Sequence, residues 1–140
     1  MAGRVTEVAH RVNYSETDQM GVVYHARYLV WLDVARCEHL RATGLSYREL
    51  EEAGFRLAVS EATLRYRQPA RYDDPLRVRC WVREALPRRV TFGYAVAHAE
   101  GRLLATASVA LLCLDAEFRL SRLPGDLLGR LHPTPDPVRL

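Results

Sequence analysis

The sequence predicts an α+β domain built from one long helix and an antiparallel sheet of about five strands. Three observations carry that prediction. Residues 26–43 contain neither Gly nor Pro and bring apolar residues back every three to four positions. Beyond residue 55 the pattern changes to runs that alternate in steps of two, and Glu100-Gly101 supplies a hairpin turn between two of them. At 140 residues and 49% hydrophobic, the chain fills one core and is short for two. Residues 1–132 are therefore assigned to a single domain and the proline-rich residues 133–140 to a flexible tail.

Taken in order, Val5 to Tyr14 reads as a first strand, with Val5, Val12 and Tyr14 set among polar residues. The helix over Ala26–Thr43 carries Val30, Val34, Cys37 and Leu40 as its apolar stripe, widened by Leu29 and Trp31, and Gly44 stops it. At about 1.5 Å per residue it runs ~27 Å, enough to cross a small domain. Ser46 and Glu49 have capping-box spacing, which starts a short second helix over residues 46–53 ahead of Gly54.

Residues 55–67 read as extended, with a slip of apolar phase near Ser60 to Thr63 that predicts a bulge. Leu76, Val78, Cys80 and Val82 alternate with Arg77, Arg79, Trp81 and Arg83, and Val90, Phe92, Tyr94 and Val96 alternate with smaller residues. The last strand, Arg102 to Asp115, is apolar on both faces. One helix covers only one of them, so the outer face predicts a homo-oligomer, a dimer or a dimer of dimers. Pro124 to Leu131 adds a helical turn.

Composition narrows the function. All twenty cationic residues are Arg, Lys and Ile are absent, and Asn13 is the only Asn, as a GC-rich coding sequence would produce. With net charge +3 and only Arg88-Arg89 adjacent, the arginines are too dispersed for a nucleic-acid face, and no nucleic-acid partner is expected. Cys37, Cys80 and Cys113 are odd in number and lie in apolar surroundings, which predicts buried thiols in the reducing cytoplasm. The N-terminal residues have no apolar signal core, and the run from Leu103 to Leu114 is too short to span a bilayer, so no membrane insertion is expected.

The chemistry concentrates in Asp18-Gln19-Met20-Gly21-Val22-Val23-Tyr24-His25-Ala26-Arg27-Tyr28, where one acid, a bare apolar turn and a helix start follow each other. A carboxylate beside helix N-terminal amides places a base or nucleophile next to donors for a developing oxyanion, as acyl transfer requires. The plainer reading of Asp18 is a turn or helix cap. His25 can orient a substrate, protonate a leaving group or cap the helix. Glu16 reads as a solvated surface charge rather than a partner for Asp18, and the aromatic residues Tyr14, Tyr24, Tyr28 and Trp31 as pocket lining or core.

No metal site is expected, because fourteen helical residues would separate His25 from His39 by about 21 Å. No phosphate-binding glycine loop, dinucleotide fingerprint, Gly-x-Ser-x-Gly elbow or His-Glu-x-x-His occurs, which leaves nucleotide hydrolysis, redox cofactors, serine hydrolysis and metalloprotease chemistry without support.

The stretch Tyr14-Ser15-Glu16-Thr17-Asp18-Gln19-Met20-Gly21-Val22-Val23-Tyr24-His25-Ala26-Arg27-Tyr28-Leu29 resembles the signature of the 4-hydroxybenzoyl-CoA thioesterase family, especially its Tol-Pal-associated acyl-CoA thioesterase branch. Pro69 to Leu76 and Val90 to Tyr94 resemble later segments of that family, so the likeness covers about residues 5–123. The resemblance implies the hotdog fold, an antiparallel sheet wrapped around one central helix. It also implies that Asp18 is the catalytic carboxylate, that the backbone amide of Tyr24 or its neighbour binds the oxyanion, and that His25 serves the same site.

Gly21, Val22, Val23, Tyr28 and Trp31 are then expected around the acyl group, and Arg88 and Arg89 around the phosphates of CoA. Arg27 stands where the family often has Asn, and Asp33 where it often has Glu; both bear on the substrate. The expected reaction is hydrolysis of a short-chain or aromatic acyl-CoA, with no cofactor beyond the CoA of the substrate. A dehydratase or hydratase acting on a thioester, and an acyl-CoA-binding module without turnover, are the other expectations.

Overall fold

The computed structural model describes residues 3–140. Its elements are β1 Thr6–Arg11, α1 Arg27–Ala42, α2 Tyr47–Glu52, β2 Arg56–Tyr66, β3 Pro75–Ala85, β4 Arg89–His98, β5 Leu103–Leu114 and α3 Gly125–Arg130, with a 3-10 turn at Tyr14–Glu16. The five strands form one sheet in the order β1-β3-β4-β5-β2, antiparallel throughout. The α+β architecture expected from the sequence is the one observed.

Alternation decides which face meets the helix. Val78, Cys80 and Val82 of β3, Phe92, Tyr94 and Val96 of β4, and Val109, Leu111 and Cys113 of β5 are buried against Tyr28, Trp31, Leu32, Ala35 and Leu40 of α1. The pairing of β2 with β5 shifts register between Val59 and Glu61, which is the bulge expected from the apolar phase slip. The capping box of Ser46 and Glu49 opens α2 as its spacing predicts.

Two expectations are corrected. The first strand ends at Arg11 rather than at Tyr14, because the carboxylate of Glu16 accepts the N–H of Asn13 at 2.8 Å and folds the chain into the 3-10 turn. The stripe that α1 buries also differs. Val30 and Val34 are about half exposed, at 52% and 48%, and Cys37 is only half-buried; the core is met instead by residues that start at Tyr28 and return at Leu32, Ala35 and His39.

The outer face of the sheet is partly covered by the chain itself. Trp81 and Gly93 point outward, yet both are buried, and an added Cβ on Gly93 would lie 2.5 Å from the Trp81 indole. Residues 133–140 pass over this face: Thr134 N–H donates to the Val82 carbonyl at 2.8 Å, and the Asp136 carboxylate accepts from Trp81 Nε1 at 2.9 Å. Asp136 also takes two bonds from the Arg83 guanidinium, at 3.0 and 2.9 Å. Cys37, Cys80 and Cys113 are free thiols, and burial pushes all three pKa values up.

Candidate functional site

The segment between β1 and α1 is held from below by one carboxylate. Glu16 is buried, at 9% exposure, and not the solvated charge its polarity suggests. Its Oε1 accepts from Asn13 N–H at 2.8 Å and bonds His10 Nε2 at 2.8 Å, while Oε2 accepts from Trp31 Nε1 at 2.6 Å. Burial alone would raise its pKa, but the bonds from Asn13, His10 and Trp31 outweigh that and hold it below the ordinary carboxylate value. The Glu16 carbonyl in turn accepts the N–H of Tyr24 at 2.8 Å, so one residue ties β1, the turn and α1 together.

On that base the chain makes a tight turn. Asp18 N–H donates to the Val22 carbonyl at 2.9 Å, and Gly21 N–H donates back to the Asp18 carbonyl at 3.0 Å. Gly21 closes the turn at φ +80°, a conformation that excludes most side chains. The Asp18 side chain is half-buried; Oδ1 accepts from Met20 N–H at 2.8 Å, and Oδ2 makes no hydrogen bond within the described residues. Asp18 thus caps its own turn with one oxygen and keeps the other free.

The second wall comes from the end of β2 and the segment after it. Val23 N–H donates to the Ala70 carbonyl at 2.8 Å, and Ala70 N–H donates to the Tyr28 hydroxyl at 3.3 Å. Tyr66 closes the junction by donating its hydroxyl to the His25 carbonyl at 2.8 Å. Burial raises the pKa of both phenols, which keeps them protonated.

Between the two walls lies a cavity of about 300 Å³, reached by Asp18, Val22, Val23, His25, Tyr28, Tyr66 and the Arg67-Gln68-Pro69 segment. Of the residues picked from the sequence, Asp18, His25, Val22, Val23 and Tyr28 meet there. Gly21 shapes the turn without lining the cavity, and Trp31 is buried at 4% exposure with its ring against Tyr28. The exposed ring of Tyr24 lies against His25, tilted by 55° with centroids 4.5 Å apart.

The amide of Tyr24 is already spent on Glu16, whereas those of His25 and Ala26, at the start of α1, donate to nothing among the described residues. The His25 ring does not cap the helix, since no side chain does so at Ala26. Arg27 and Asp33 stay outside the cavity; Asp33 pairs with the buried Arg36.

Arg88 and Arg89 are elsewhere. Arg89 lies opposite Leu112 on β5 and Tyr66 opposite Ala105, so about 23 Å of strand separates that turn from the cavity wall. Arg89 is paired with Glu84 at 3.0 Å. Within one chain, the structure does not bring these arginines to Asp18. Tyr66, Arg67, Gln68 and Pro69 were not singled out by sequence reasoning; the signal was Pro69-Ala70-Arg71-Tyr72-Asp73-Asp74, noted for its resemblance and not for its reach into the site.

The family model for the thioesterase-like superfamily matches residues 12–135. This chain belongs to the thioesterase-like superfamily. Its antiparallel sheet over one central helix is the hotdog fold, and its relatives are named as acyl-CoA thioesterases or thioester hydrolases. The acyl-CoA thioester hydrolase YbgC of Escherichia coli O157:H7 is 35% identical over 105 residues, covering 75% of this chain and 78% of that one.

Among solved structures of the superfamily's fold, the Thermus thermophilus protein TT1821 superposes with a TM-score of 0.86 at 38% identity, over 90% of this chain and 96% of that one. The DHNA-CoA thioesterase of Staphylococcus aureus gives a TM-score of 0.79 at 32% identity, over 88% and 82%. No helix of the described residues is long and apolar enough to cross a membrane, and no cluster of them has the makings of a metal site.

Proposed function

We propose that the protein hydrolyses the thioester of a short-chain or aromatic acyl-CoA, releasing the free acid and CoA. The observation that carries this is the cavity itself, which joins the uncommitted Oδ2 of Asp18 to His25, whose amide is unspent at the start of a helix. Asp18 supplies the oxygen chemistry, either by attacking the thioester carbonyl or by removing a proton from the water that does. The new carbon–oxygen bond gives a tetrahedral oxyanion, whose collapse breaks the carbon–sulfur bond and expels the thiolate, which takes up a proton; on the route through Asp18 attack, a water then hydrolyses the mixed anhydride to free acid and Asp18 carboxylate. The His25 amide, favoured by the positive end of α1, holds the oxyanion in place of the Tyr24 amide.

The His25 ring is placed to orient the thioester or to protonate the thiolate. A volume of about 300 Å³ walled by Tyr28 and Tyr66 suits a short or flat acyl group better than a long chain. The name of the S. aureus relative points to an aromatic acyl group in that protein. The free thiols, of which Cys80 and Cys113 are buried, suit a reducing compartment such as the cytoplasm.

The half-exposed stripe of Leu29, Val30 and Val34 on α1, together with the exposed edge strand β2, supports assembly with a second copy of the chain. Light scattering would read a dimer or larger; a monomer at assay concentration overturns that part.

Thiol release from short-chain, long-chain and aromatic acyl-CoAs, followed with a disulfide reporter for wild type beside Asp18→Asn, tests the activity. Asp18-dependent release is expected. Acyl-CoA binding without release overturns it in favour of a binding module, and a change in double-bond absorbance without free thiol in favour of a dehydratase or hydratase.

A further inference from the structure

Arg67 shares with its neighbours Arg65 and Arg71 the lack of a carboxylate partner among the described residues, whereas Arg77, Arg79, Arg83 and Arg89 are each paired with one. It lines the same cavity as Asp18 and His25, and it is exposed. Its backbone is fixed, because the N–H groups of Arg67 and Gln68 both donate to the Leu104 carbonyl, at 2.8 and 3.2 Å. One guanidinium nitrogen, Nη2, donates to the carbonyl of Arg139 at 3.0 Å. A carbonyl orients a guanidinium without neutralising it, and of its five N–H donors most are left for a ligand.

The C-terminal segment that reaches Arg67 is itself anchored two ways, by Thr134 on Val82 and by Asp136 on Trp81 and Arg83. A positive charge is thus held at the cavity by a stretch of chain that runs over the outer face of the sheet and contributes no residue to the cavity lining.

We propose that Arg67 receives a phosphate of the CoA moiety at the mouth of the Asp18 cavity, and that the C-terminal segment positions its guanidinium through the Arg139 carbonyl. This rests on the acyl-CoA reading above. It also replaces Arg88 and Arg89 as the anion handle that one chain offers its own Asp18. The planar fork of Arg suits phosphate oxygens, and an unpaired cation beside an apolar cavity favours a substrate whose charge lies at the leaving-group end.

The test separates phosphate binding from chemistry. Wild type, Arg67→Ala, Arg67→Lys and a chain ending at Asp136 are compared in three measurements: calorimetric binding of CoA alone, kcat and KM for an acyl-CoA, and kcat/KM for the matching acyl-N-acetylcysteamine thioester, which has no phosphate. Arg67→Ala is expected to weaken CoA binding and raise KM about tenfold or more, with Lys restoring part of it. The kcat/KM for the truncated thioester should fall by a clearly smaller factor than that for the acyl-CoA. The shortened chain should shift CoA affinity in the same direction by a smaller factor.

Unchanged CoA affinity in Arg67→Ala overturns the proposal, as does an equal loss on both thioesters. Unchanged affinity in the shortened chain overturns the positioning role of the C-terminal segment. Should wild type hydrolyse neither thioester while CoA binding still depends on Arg67, the hydrolase reading fails and the phosphate site stands.

Discussion

The hydroxyl of Tyr66, at the end of β2, donates to the carbonyl of His25 across 2.8 Å and so fixes the peptide that follows the free His25 amide. The two residues are far apart in sequence, and the bond spans the cavity between its two walls. Tyr66→Phe keeps the ring packed on Tyr28 and removes only the donor. It is expected to lower kcat up to about tenfold, the worth of one neutral hydrogen bond, with little change in Tm. A kcat equal to wild type would show that the His25 peptide holds its place without Tyr66.

Asp18→Asn is the sharper substitution. Asn can still accept the Met20 N–H through its amide oxygen, so the turn survives while the base or nucleophile is lost. Turnover is expected to fall by about two to four orders of magnitude with the fold intact by circular dichroism. Single turnover in oxygen-18 water with hydroxylamine trapping separates the two routes: label entering the Asp18 carboxylate, or a hydroxamate formed on Asp18, marks attack by Asp18 itself, and label only in the acid with no trapped Asp18 marks activated water.

Glu16 predicts a pH dependence of stability. Its folded pKa lies below the ordinary 4.5, so it contributes stability that is fully present above about pH 4.5 and is lost as pH falls through the lower folded value. Glu16→Gln should remove that acid-side slope in a Tm-versus-pH series. At neutral pH it should cost about 1.5–3 kcal/mol, because the bonds from Asn13 and Trp31 are no longer made to a charge. Coincident profiles for wild type and Glu16→Gln between pH 3 and 5 would remove Glu16 as their source.

Gly93→Ala places a methyl group against the Trp81 indole, where the backbone has left no room for one. The indole must shift and drag its bond to Asp136 with it. A loss of about 1–3 kcal/mol in chemical denaturation is expected. No loss would mean that Trp81 has an alternative rotamer at hand.

Much of this was legible in the chain. The period-two runs in β3 and β4, the gap-free helix and the Ser46–Glu49 box are local signals, and each gave its element directly. Asp18 and His25 were legible because a turn and a helix start put them together locally. What failed was what depends on distant partners. The polarity of Glu16 gives no hint that Asn13, His10 and Trp31 surround it, and Val30 and Val34 are as apolar as the residues that do meet the core. Tyr66 and Arg67 reach the site only because β2 ends beside it, which no pattern of periodicity encodes.

The strand order also sets when the site comes into being. β3, β4 and β5 are joined by short turns and pair with their neighbours in sequence, so this meander is the part with the lowest loop-closure cost. β1 and β2 must instead find β3 and β5 from far along the chain, Thr6 pairing with Cys80 and Arg56 with Leu114. Long-range closure is generally slow. Asp18 follows β1 and Tyr66 ends β2, so the cavity walls belong to the two edges expected to dock last. A molecule refolding from denaturant is expected to hold a protected meander before a working pocket, with pulse-labelled amides of β4 shielded ahead of those of β1.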